Sequence, residues 1–187
     1  MTKLGCAVAV GVMVCGLGAP LSAAQAVNPD AKLLQEFQDR VKEYVELRKQ
    51  ASKDVPKLKE TEDPAKIKAA QDGLAHKIRA ARPKARRGDI FTPDIAKLFR
   101  RLMYPEVKGP EGKETKDTIK DTEPGAIALK VNARYPEEQP LPTMPANLLA
   151  SLPKLPEDLE YRVVRNALIL RDVRANLIVD FIPAAIR

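Results

Sequence analysis

Glu160, Asp172 and Asp180 are the residues of this chain best placed to do chemistry, because they fall on successive short stretches in which apolar and polar residues alternate. Carboxylates on neighbouring strands can act as an acid/base pair or offer hard oxygen ligands to a cation. The expectation favoured here is plainer: the acids pair with Arg162, Arg171 or Arg174 across a sheet and keep its edges soluble. A glycosidase-like pair would also call for an aromatic-lined cleft, and the chain has no Trp.

Other catalytic constellations lack parts. The chain has one histidine, His76, and two cysteines, Cys6 and Cys15. A zinc site of His/Cys type is therefore short of ligands, and a Ser-His-Asp triad has a single base to draw on. His76 falls on the polar shoulder of a helical pattern and reads as a surface residue. Neither G-x-x-x-x-G-K-[ST] nor G-x-G-x-x-G is present to cradle a phosphate, and no G-x-S-x-G turn presents a nucleophile. The expectation is a protein that is not an enzyme and holds no cofactor.

Positive charge is the stronger lead. Lys77, Arg79, Arg82, Lys84, Arg86 and Arg87 crowd one stretch, and Arg100 and Arg101 follow one helix later, in a chain of net charge +7. Arg82, Lys84, Arg86, Arg87, Arg100 and Arg101 form a candidate anion-binding set, whose hold on phosphate-rich ligands would weaken with salt as counterions are released. The reading favoured for the cluster is still the plainer one, that these charges are the solvated faces of short helices. No stacking aromatics interleave with these charges, so sequence-specific nucleic-acid binding is not expected.

The elements around these residues can be read from caps and periodicity. Residues 1–26 read as a signal peptide: Lys3, an apolar run from Leu4 to Gly18, and the A-x-A exit Ala24-Gln25-Ala26. The run is interrupted by glycines and is shorter than the ~20 residues of a membrane span. Cys15 follows Val14, and Cys6 lies too near the start, so lipidation is not expected. Cleavage after Ala26 would leave a cysteine-free, secreted or periplasmic chain without a transmembrane span, among anionic neighbours such as envelope polymers.

Residues 27–106 carry helical patterns. Asn28-Pro29-Asp30 starts one, with Leu34, Phe37, Val41, Tyr44 and Val45 on a single stripe to about Ser52. Asp63-Pro64 starts another, with Ile67, Ala70, Leu74, Ile78 and Ala81 on one face, ending before Pro83. The first stripe suits an intramolecular hairpin or a seam between two copies. Thr92-Pro93-Asp94 opens a third, short helix expected to stop at Tyr104, since Pro105 disfavours helix in its predecessor. Residues 107–125 read as a charged connector, with a weak helix around Glu114 to Lys120 as the alternative. In the β-rich module 126–187, Ala128 to Tyr135 reads as one strand, followed by a proline-punctuated passage with a helical turn near Asn147 to Ser151. Three further strands, broken at Asn166 and at Arg174-Ala175-Asn176, read as an antiparallel meander. The fold class expected is α+β.

The order GDIFTP, FRRL, RYP, LPKLPEDLEYRVV, LILRD and ANLIVDFIP, spanning roughly Ala80 to Pro183, resembles a group of secreted bacterial proteins known only as uncharacterised. The resemblance brings no catalytic residue with it. Its members often carry a glycine in the first hairpin turn, where this chain has Arg165-Asn166. The YRVV-to-LIVDF hairpin is also similar, over a short apolar stretch, to the small β-module of periplasmic nickel/cobalt-homeostasis proteins. Together these readings point to a non-enzymatic envelope protein whose partner is an envelope protein or an anionic polymer. The alternative is a small secreted hydrolase or metal-handling protein using Glu160, Asp172 and Asp180.

Overall fold

In the computed structural model, which describes residues 28–53, 55 and 61–186, helix α1 spans Pro29–Ala51. The Asn28 side chain accepts from the Asp30 N–H at 3.0 Å, proline occupies the first turn, and Phe37, Val41, Tyr44 and Arg48 form the buried face. Helix α2 (Pro64–Ala81) starts in the same way, from Asp63 to the Ala65 N–H at 3.0 Å, and buries Leu74, Ala75 and Ile78. The two helices pack on each other, and the α1 stripe is consumed inside this chain. Residues 1–26, expected to be a leader, and the expected break at Pro56 lie outside the described residues.

Helix α3 (Pro93–Lys108) is capped by Thr92 and passes through Pro105 instead of ending at Tyr104. Proline in a helix interior costs about 3 kcal/mol, through the lost intrahelical bond and a clash with the preceding turn. Burying Val107 in the extra turn contributes about 1.5–3 kcal/mol and offsets most of that loss. The charged stretch 107–125 is likewise more than a connector, because it holds helix α4 (Gly112–Asp121), which buries Thr115 and Ile119 and packs on α3. A Cβ on Gly112 would stand 2.3 Å from the Val107 carbonyl oxygen, so the tight α3–α4 junction requires glycine there. A short helix, α5 (Ala146–Ser151), follows in the proline-rich passage.

Strands β1 (Leu159–Val164), β2 (Ala167–Asp172) and β3 (Leu177–Ile182) form an antiparallel meander in the order β1-β2-β3. The Arg165-Asn166 turn pairs Val164 with Ala167, and Arg165 adopts a φ of 56° in the position where glycine relieves strain. Between β2 and β3 the register shifts at Leu170/Arg171: Arg171 pairs with Ile178 and Leu170 with Asp180, so Val179 is the extra residue of a bulge. The expected strand over 128–135 does not form. Asn132 turns at a φ of 63°, which leaves one isolated bridge, Arg134 to Leu177, and a few backbone bonds to β3. The segment instead covers the outer sheet face, where Ile127, Leu129 and Tyr135 pack on Val164, Ile169 and Ile178.

The inner sheet face and the helices bury one continuous core across the regions 27–106 and 126–187. The few aromatics are concentrated there: Phe99 lies 4.9 Å from Phe37, 5.2 Å from Phe91 and 6.1 Å from Tyr161 between ring centroids. Such edge and offset contacts let a chain with four phenylalanines hold helices and sheet together. The architecture is α+β, helices first and a three-stranded meander last.

Candidate anion-binding cleft

The bulge in β3 decides the shape of the loop between α2 and α3. Asp180 is fully buried, and its carboxylate accepts from the backbone N–H of Gly88 at 3.0 Å, Ile90 at 2.9 Å, Phe91 at 2.8 Å and Phe181 at 2.8 Å. No cation pairs with it among the described residues. A buried carboxylate is tolerated only when hydrogen-bonded, and four amides closing on one side chain supply that. Gly88 has a φ of 93°, which any side chain would resist, and this turns the loop so that its amides point inward. The Arg86 and Arg87 side chains are left exposed.

Four arginines then line one cleft of about 860 Å³: Arg40 from α1, Arg86 and Arg87 from the loop, and Arg100 from α3, with Asp89 as the acidic residue among them. Phe91, Ala96, Phe181, Ile182 and Pro183 supply apolar wall. Arg40 is pinned by Glu36 at 2.9 Å and by the Asp89 carbonyl at 2.8 Å. Arg100 donates to the carbonyls of Pro183 at 2.9 Å and Ala184 at 3.3 Å. Arg87 rests over the Phe181 ring, 5.8 Å from its centroid. Arg86 projects outward, its side chain 87% exposed and 3.8 Å from Asp89.

The structure divides the candidate basic set. Arg86, Arg87 and Arg100 meet in the cleft. Arg82 packs over the Tyr44 ring at 5.1 Å, donates to Asn132 and reaches Asp89 at 3.9 Å from behind the cleft lining, Arg101 pairs with Asp30, and Lys84 is exposed away from the cleft lining. Sequence reasoning missed Arg40, which lies on a different helix from the basic run. No signal in the local sequence distinguishes it from the other charges of α1.

The three strand carboxylates do not converge. Asp172 is fully buried and accepts from the Tyr44 hydroxyl at 2.8 Å, the Ala175 N–H at 3.0 Å and Arg48 at 3.4 Å. The expected arginine partners hold only for Glu160, which sits 2.6 Å from Arg171 across the sheet and 2.6 Å from Arg162 on its own strand. Arg174 lies near Asp158 instead, at 3.9 Å. The correction has a simple cause: Asp172 and Asp180 face the helices, so their partners come from α1 and the α2–α3 loop. Among the described residues, no group of three or more His, Cys, Asp or Glu side chains is arranged to hold a metal ion.

Burial pushes the Tyr44 phenol upward, and the Asp172 carboxylate adds to this. Burial alone raises the Tyr161 phenol. For Glu160, burial acts upward, but the hydrogen bonds from Arg162 and Arg171 outweigh it and hold the carboxyl below its usual range. A depressed folded value means that the Glu160 contribution is fully present above the unfolded value of about 4.3 and is lost as pH falls through the folded value. The gap in thermal midpoint between the protein and Glu160→Gln is therefore expected to be constant above about pH 5 and to shrink steadily below about pH 4. A gap as large at pH 3 as at pH 7 would refute this.

With the fold and cleft in view, the chain is an α+β protein with an arginine-lined surface cleft. No protein-family model, curated protein or solved structure matches it. Among the described residues no helix is long and apolar enough to cross a membrane.

Proposed function

We propose that this is a non-enzymatic protein of the cell envelope, secreted or periplasmic, that holds an anionic partner through the arginine-lined cleft. The observation that supports the reading is the gathering of Arg40, Arg86, Arg87 and Arg100 from three parts of the chain around a single aspartate. Two of these arginines are fixed by hydrogen bonds to carbonyls and one by an aromatic ring, so little side-chain freedom is lost when a ligand arrives. The leader-like N-terminus and the net charge of +7 fit an anionic surface outside the cytoplasm. The strand carboxylates are already engaged with tyrosine, arginine and backbone amides, which favours a binding role over acid/base or metal chemistry.

The test expresses the full chain with its leader and measures retention of the recovered protein on envelope extract across a salt series. The protein should bind at low salt and be released at high salt. In the triple variant Arg86→Gln, Arg87→Gln, Arg100→Gln, the slope of log affinity against log salt should fall by about one for each arginine removed. An unchanged slope would remove the cleft as the binding surface.

A further inference from the structure

We infer that the cleft selects a phosphomonoester dianion over a singly charged phosphodiester, an inference that rests on the cleft being the anion site. Arg40 is answered by Glu36 at 2.9 Å, and Arg86 shares Asp89 with Arg82, at 3.8 and 3.9 Å. Arg87 and Arg100 line the same cleft with no carboxylate partner among the described residues, so they contribute two unbalanced positive charges. A phosphomonoester carries about −1.5 to −2 at pH 7 and presents three acceptor oxygens; a phosphodiester carries a single negative charge.

Geometry narrows the ligand further. Arg100 spends its Nε–H on the Ala184 carbonyl and one Nη2–H on the Pro183 carbonyl, which leaves both Nη1 hydrogens and the second Nη2 hydrogen to donate. The Phe181 ring holds the Arg87 guanidinium from one side. The first turn of α3 opens on the same space through Thr92 and Pro93, but Asp94 in that turn answers its dipole, so the two guanidinium groups carry the attraction. A bare phosphate would fill little of a cleft of about 860 Å³, a size suited to a small molecule. Phe181 and Pro183, the accessible apolar residues of the lining, give an apolar body somewhere to lie. The shared chemistry is a terminal phosphate, borne either on a lipid or on a soluble molecule.

Calorimetry at fixed ionic strength and pH 7.5 would compare dihexanoyl phosphatidic acid, dihexanoyl phosphatidylglycerol and glycerol 3-phosphate. The phosphatidic acid should bind about tenfold more tightly than the phosphatidylglycerol, as one further charge-assisted hydrogen bond implies. Arg87→Gln should bring that ratio close to one with the thermal midpoint unchanged, since Arg87 is exposed. Lys97→Gln, which removes an exposed charge of α3 outside the cleft lining, should leave the ratio alone. Glycerol 3-phosphate binding as tightly as the phosphatidic acid supports a soluble phosphomonoester; weaker binding supports the lipid form. Equal affinity for monoester and diester overturns the inference while salt-labile retention on envelope extract, if intact, keeps the proposed function. Loss of both overturns the two together.

Discussion

Asp180→Ala is expected to lower the stability of the protein by about 3–5 kcal/mol, because it leaves the amides of Gly88, Ile90, Phe91 and Phe181 without their acceptor. Each buried donor left unpaired costs about 1–3 kcal/mol, and partial opening of the loop to water recovers some of the total. Against the 5–15 kcal/mol typical of a domain, this is a large share. Asp180→Asn keeps one acceptor oxygen but turns an NH2 group toward amide donors, so an intermediate loss of about 2–3 kcal/mol is expected. Urea unfolding of the two variants checks the order. The loop would also lose its inward turn, so a protease should cut near Arg86 and Arg87 faster in Asp180→Ala than in the parent. A loss below about 1 kcal/mol with unchanged cleavage would show that the amides find other partners and that Asp180 does not shape the cleft.

Arg48→Ala has the second large effect. Arg48 is 8% exposed and reaches Asp172 at 3.4 Å, Asp158 at 3.6 Å and the Glu157 carbonyl at 3.4 Å. Removing it leaves the fully buried Asp172 with two neutral donors, the Tyr44 hydroxyl and the Ala175 N–H. Truncating one partner of a buried pair costs about 3–5 kcal/mol, chiefly through the charge left behind. Combining Arg48→Ala with Asp172→Asn should therefore cost clearly less than the sum of the two single losses, by about 1–3 kcal/mol. Additivity within about 0.5 kcal/mol would mean that the two side chains do not act as a pair. Tyr44→Phe, which deletes one bond to the same carboxylate, should cost about 1.5–3 kcal/mol.

The helix starts were legible because caps are local. Asn28-Pro29-Asp30, Asp63-Pro64 and Thr92-Pro93-Asp94 each place an acceptor side chain and a proline where the first turn has free N–H groups to offer. The meander was legible for the same reason, since alternation and the turn residues near Asn166 and Asn176 are short-range signals. The end of α3 was misread because the cost of Pro105 is local while the gain from burying Val107 comes from the packed core. Residues 128–135 were misread as a strand because their apolar positions bury against the outer sheet face without full ladder pairing.

By itself the sequence determined the α+β class with helices before strands, the three strands of the meander and the presence of a basic run beside the third helix. Hydrophobic period, capping and turn chemistry act over a few residues, and they are written where they act. Only the tertiary structure decided which charges share a space: it brought Arg40 to Arg86, Arg87 and Arg100, set Arg82 behind the lining between Tyr44 and Asp89, sent Arg101 to Asp30, and turned Asp172 and Asp180 inward to separate partners. Charge interactions depend on distance in space and on burial, and both are set by a bulge in β3 and by the packing of helices that lie far apart along the chain.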